Sequence, residues 1–128
     1  MTGYEKREQL IQAYIDAYNN FDIEGMMAGL KNSMEFKNIS NGVTDLHLQG
    51  LEAFKQQAIQ AVAFFNQRKQ TVTAYRHEAA QTEVAIDYQA IVAADLPNGL
   101  KQGDLLQLSG TSVFTFDGGK ISGITDIS

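Results

Sequence analysis

No cysteine occurs in the 128 residues, so disulfides, thiolate nucleophiles and cysteine-ligated zinc are excluded. Basic residues are in the minority, 10 Lys and Arg against 15 Asp and Glu, for a net charge of −5 and a pI of about 4.8. Without a basic face or tail, binding to nucleic acid or to an anionic membrane is not expected. The densest basic stretch, "RKQ" at 68–70 with Arg76 and His77 beyond it, reads as solvated surface charge. No apolar run approaches the ~20 residues needed to span a bilayer. The N-terminal "MTGYEKREQ" is charged and lacks the apolar core of a signal peptide, so a cytoplasmic protein is expected. Histidine is scarce too. His47 and His77 stand alone, with no HxH or HxxxH spacing, so no metal site is expected. No phosphate loop, dinucleotide fingerprint, nucleophile elbow or EF-hand appears, and no cofactor is expected.

What is present is a clear periodic pattern. Leu10, Ala13, Tyr14, Ala17, Tyr18 and Phe21 keep helical spacing over about 4–19. "NNFD" breaks that helix, and Asp22 is a plausible N-cap for a short second helix over 23–30. "SMEFKNIS" and "VTDLHLQG" read as two short strands joined at an Asn-Gly hairpin turn, 41–42. "GLEAFKQQAIQAVAFFNQ", 50–67, reads as a long helix whose stripe is Leu51, Phe54, Ala58, Ala61, Val62 and Phe65.

Beyond residue 67 the period becomes two. "QTVTAYRHEAA", "TEVAIDYQAIVAAD", "DLLQLSGTSVFTFD" and "KISGITDIS" are four strands joined by "AQT", "LPNGLKQG" and "DGG". Such short connections make antiparallel neighbours. Residues 1–128 therefore form one α+β domain, helices segregated from a largely antiparallel sheet. A strongly curved sheet around an amphipathic helix leaves an open concave end, where a pocket is expected.

This element order, with "YIDAYNNFDIEGMM", "GLEAF" opening the long helix and "SVFTFDGGKISGITDI" at the end, resembles the nuclear transport factor 2-like superfamily. Within it the chain is most similar to SnoaL-like and ketosteroid-isomerase-like domains. The resemblance spans nearly the whole chain. It implies a cone-shaped, cystatin-like α+β barrel: a bent mixed sheet closed on one side by helices, with a pocket at the wide end. It also implies a homodimer through the outer sheet face. The family's isomerases use a helix-1 tyrosine, an aspartate base and a protonated aspartate. On this sequence those positions fall on Tyr14, Asn38 and Ser112. An amide is not a base, so steroid-type isomerisation by that route is not expected, and polyketide-cyclase-like chemistry is the nearer expectation. Glu35 and Asp45 in the same hairpin are the carboxylates closest to the missing base.

Asp126 is the remaining candidate acid/base. Alternation groups Ile124, Asp126 and Ser128 on one face and Ile121, Gly123, Thr125 and Ile127 on the other. The resemblance turns the Asp126 face into the cone; the alternative is a solvated aspartate on a frayed end. Tyr14 is read as a hydrogen-bond donor in the pocket, or else as a core tyrosine, and Tyr18 as its packing neighbour. The expected lining comprises Tyr18, Met34, Phe36, Asn38, Phe54, Phe65, Ile86, Tyr88, Gly110, Ser112, Phe114 and Ile124. Asp87 is expected to point outward, and His47, partnered by Asp45 or Asp126, is the alternative general base. The expected occupant is a small, largely apolar molecule bearing a carbonyl or hydroxyl. A non-catalytic ligand-binding or protein-interaction module on the same fold is the alternative.

Overall fold

The computed structural model describes residues 3–97 and 99–128; Asn98, in the expected "LPNGLKQG" connection, lies outside the described residues. The elements are α1 (Gly3–Asn19), α2 (Ile23–Ala28), β1 (Leu30–Ser40), β2 (Val43–Gln49), α3 (Leu51–Val62), β3 (Phe65–His77), β4 (Gln81–Val92), β5 (Leu105–Asp117) and β6 (Lys120–Ile127). The fold is α+β. Its six strands form one mixed sheet in the order β2-β1-β6-β5-β4-β3, with β1 and β6 parallel and every other pair antiparallel. The sheet is not closed: β2 and β3 are its edges, so the barrel that the resemblance implied is an open one.

Local chemistry accounts for the joints. Asn41 and Gly42 both take positive φ, 52° and 79°, the backbone that a two-residue hairpin turn between twisted strands requires. The Asp22 carboxylate accepts a hydrogen bond from the Gly25 N–H at 3.0 Å and caps α2. Asn19 ties the end of α1 to β3 through its Nδ2 donating to the Gln70 carbonyl (3.0 Å) and its Oδ1 accepting from the Gln70 N–H (2.7 Å). Arg7 fastens the other end, donating to the carbonyls of Glu78 (2.6 Å) and Ala79 (2.7 Å).

Three sequence expectations need correction. The face that α1 buries centres on Ile11, Tyr14 and Ile15 rather than on Ala13, which is exposed. The helix expected to reach residue 67 ends at Val62; Phe65 opens β3 opposite Val92, because strand pairing wins over the helical pattern of "AFF". Ile121 is fully buried although alternation placed it outward. A bulge is the reason: the β5–β6 register jumps between Thr115–Gly123 and Phe116–Ile121, skipping Ser122, so the faces swap there. The core lies between the helices and one sheet face, with Ile11, Ile15, Met34, Phe54, Phe114 and Ile124 among its members.

Candidate functional site

The ladder builds the polar end of the site. Asp126 on β6 is the register partner of Asn38 on β1 and of Ser112 on β5, so three inward polar side chains stand in a row across the sheet. The Ser112 hydroxyl donates to Asp126 Oδ1 at 2.7 Å. Asp126 Oδ2 has no hydrogen-bond partner among the described residues. Burial pushes the Asp126 carboxyl up to about 6, against the Ser112 hydrogen bond, which pulls it down. Ser112 thus positions the carboxylate. On β2, a bulge at Asp45 breaks the pairing with β1 and turns that carboxylate to the cavity rim, where Asn38 Nδ2 donates to it at 2.8 Å.

The phenols divide. Tyr18 and Tyr88 place their hydroxyls 2.8 Å apart with their rings edge-on, each satisfying the other. Burial raises both phenols above their ordinary pKa. Tyr14 is only 8% exposed, and its ring packs against Phe114 and Phe54. Its hydroxyl has no partner among the described residues. No fully buried side-chain oxygen or nitrogen among them lacks one, so this hydroxyl opens into the cavity that Tyr14 lines. Burial, then the Asp126 charge, raises the Tyr14 phenol well above its usual range, while Arg68 pulls it down. It is a neutral donor at every physiological pH.

Arg68 is the residue sequence reasoning missed. It is 4% exposed rather than solvated, and it lines the cavity. Its Nε donates to the Tyr18 carbonyl at 2.8 Å, and its guanidinium lies 3.7 Å from the Tyr18 ring centroid and 4.5 Å from that of Phe21. Counting by two back from Val72 places Gln70 and Arg68 inward, a signal hidden by running the long helix through to residue 67.

The cavity measures about 480 Å³, within the range of small-molecule sites. Of the expected residues, Tyr14, Tyr18, Phe36, Asn38, Phe54 and Asp126 line it. Ile86, Tyr88, Gly110 and Ser112 line an adjoining recess of about 200 Å³ that shares Tyr18, Asn38, Gln70 and Asp126 with it. Met34, Phe114 and Ile124 are core residues lining neither, and Phe65 lies beside the Tyr88 ring outside both. Met26, Leu46, Gln57, Ala58 and Ala61 complete the main wall without having been expected there.

Other candidates fall away from the cavity. His47 is exposed and pairs at 3.0 Å with Glu35, not with Asp45 or Asp126. Hydrogen bonds from Gln49 and then His47 hold the Glu35 carboxyl down at about 2, which makes it a poor base. His77 is bracketed by Glu8 (2.7 Å) and Thr82 (2.9 Å) and stacks on Tyr4, a role in packing. Asp87 is exposed and accepts from Ser109 at 3.1 Å. Among the described residues no three His, Asp or Glu side chains gather as metal ligands, and no helix is long and apolar enough to cross a membrane.

A family model described as a SnoaL-like domain matches residues 11–124. No curated protein sequence matches the chain. Similar solved structures include a candidate polyketide cyclase from Xanthomonas campestris pv. campestris, 21% identical with a TM-score of 0.78, covering 97% of this chain and 90% of that one. An NTF2-like protein of unknown function from Burkholderia pseudomallei K96243 is 14% identical at a TM-score of 0.74, covering 98% and 90%. An LEH-like epoxide hydrolase from M. tuberculosis is 15% identical at a TM-score of 0.76, covering 96% and 82%. At these identities the likeness shows the fold.

Proposed function

The chain belongs to the SnoaL-like domain family, and on that premise we propose that it is a cofactor-independent acid/base catalyst acting on a small, largely apolar carbonyl compound. The observation that carries this reading is Asp126: a cavity carboxyl pushed up to about 6 by burial, one oxygen held by Ser112 and the other without a hydrogen-bond partner among the described residues. A carboxyl so placed is poised to take and return a proton near neutral pH.

In this reading Asp126 Oδ2 takes a proton from the carbon next to the substrate carbonyl. The electron pair of the broken C–H bond moves onto the carbonyl oxygen. The Tyr14 hydroxyl, unpartnered and open to the cavity, donates a hydrogen bond to that developing enolate. Where the substrate carries a double bond one carbon further along, Asp126 returns the proton to the far end of that conjugated enolate, an isomerisation; otherwise the enolate carbon attacks a second carbonyl of the same molecule, whose oxygen takes the electron pair of its C=O bond and the proton from Asp126, a cyclisation. A candidate polyketide cyclase and an epoxide hydrolase stand among the structural neighbours that share this fold. A module that only binds its ligand does not require a carboxyl with a raised pKa in its pocket, and Asp126 favours catalysis over that alternative.

The test is 5-nitrobenzisoxazole, a carbon acid that reports a base in an apolar pocket. The wild-type protein should open its ring faster than acetate at equal concentration, with a rate rising through about pH 6, and Asp126→Asn should lose that rate. A rate no greater than acetate's, or one that survives in Asp126→Asn, would sink the assignment.

A further inference from the structure

We infer that the cavity binds its ligand by an anionic group, a carboxylate seated on Arg68 at the end of the cavity away from Asp126. The inference rests on the cavity reading above and adds the charge of the ligand to it. Arg68 is 4% exposed, yet none of the ion pairs among the described residues includes it. Its neighbours are a carbonyl, two aromatic rings and, at 4.0 Å, the Met26 sulfur. They hold the guanidinium in place and leave its charge without an anion. A guanidinium has five N–H donors, and the protein uses Nε and one weak contact from Nη2. No fully buried side-chain nitrogen among the described residues is left unpartnered, so Nη1, which has no hydrogen-bond partner among them, meets open space. A buried cation kept without a carboxylate costs free energy that a bound anion returns. Its planar fork matches a carboxylate bidentately.

The topology separates the two charges. Arg68 lies on the edge strand β3, opposite Ala90, whereas Asp126 lies on β6, with β4 and β5 between them. Tyr14 sits within reach of both fields, raised by Asp126 and lowered by Arg68. The apolar part of the cavity lining includes Met26, Phe54, Ala58 and Ala61. The cavity is thus shaped for an elongated, mostly apolar acid: carboxylate on Arg68, body against the apolar wall, reacting carbon at Asp126. Gln70, next inward on β3, offers an amide beside the guanidinium.

The probes are 2-naphthoate and its neutral isostere 2-naphthamide, titrated by calorimetry at pH 8. Wild type should bind the acid at least about tenfold more tightly, the scale of charge-assisted hydrogen bonds. Arg68→Met should bind both probes equally, and Arg68→Lys should keep only part of the preference. Equal binding of the two probes by wild type, binding of neither, or an undiminished preference in Arg68→Met would overturn the inference. The wild-type comparison decides even where Arg68→Met does not fold. A retained acid preference in a protein inert to 5-nitrobenzisoxazole would leave Arg68 assigned and remove the catalytic reading; the reverse result would do the opposite.

Discussion

Replacing Asp126 with asparagine should stabilise the protein, and more so at pH 8 than at pH 5. The carboxyl has an ordinary value of 3.8 and stands at about 6 in the fold. The native state therefore holds this proton more tightly than the unfolded chain does. The stability it contributes is complete below pH 3.8 and is lost as pH rises through about 6. A difference of about two units, at ~1.4 kcal/mol each, makes the ionised carboxylate cost roughly 3 kcal/mol at pH 8. About half of that cost is already present at pH 5, where the unfolded carboxyl is ionised and the folded one is not. An asparagine keeps the shape, still accepts from Ser112 Oγ through its amide oxygen and never ionises. With an unfolding entropy of ~2.1 cal/mol/K per residue, the melting temperature of the variant should exceed that of wild type by about 5 °C at pH 5 and about 10 °C at pH 8. Paired thermal melts followed by circular dichroism at the two pH values test this. A gap that does not widen with pH, or a variant less stable than wild type at pH 8, would refute the reasoning. The same substitution should abolish the base activity, so this position exchanges stability for function.

Removing the Tyr14 hydroxyl breaks no hydrogen bond to the described protein, so Tyr14→Phe should leave stability within ~0.5 kcal/mol while slowing the 5-nitrobenzisoxazole reaction about tenfold or more; melts and initial rates separate the two effects. Tyr88→Phe leaves the Tyr18 hydroxyl without its partner and should cost about 1–2 kcal/mol in a urea titration. Ser112→Ala deletes the one hydrogen bond that lowers the Asp126 pKa, so the pH midpoint of the activity should move above about 6, read from a rate–pH profile. A homodimer through the outer sheet face, which presents Asp87, Gln89, Gln107 and Ser109, should sediment at twice the 14.1 kDa of one chain, and a 14.1 kDa species would contradict it.

Much of this architecture is legible in the sequence because it is written locally. The Asn41-Gly42 turn, the Asp22 cap and the meander of period-two segments each depend on a few adjacent residues. Family register brings Asn38, Ser112 and Asp126 to one row because undisturbed strands keep alternation, and the register between Asn38 and Asp126 and between Asp126 and Ser112 runs without a break. What escapes are the places where a bulge resets the count or where burial is decided from far away. Ile121 lies beyond the bulge at Ser122, and Asp45 sits on one. Arg68 reads as surface charge beside Lys69, which is indeed exposed; its burial comes from Tyr18 and Phe21, some fifty residues earlier, closing over it from the end of α1. The two phenols of α1 look equivalent in sequence. Only the partner on β4 distinguishes Tyr18, which is satisfied, from Tyr14, which is not.

The catalysis proposed for the cavity depends on Asp126 being a proton-transfer group tuned by its burial there. Carbon-detected NMR of the aspartate carboxyl resonances, followed from pH 2.5 to pH 8 and assigned by comparison with Asp126→Asn, measures that directly. Asp126 should titrate with a midpoint near 6. A midpoint at or below its ordinary value of 3.8 would contradict it.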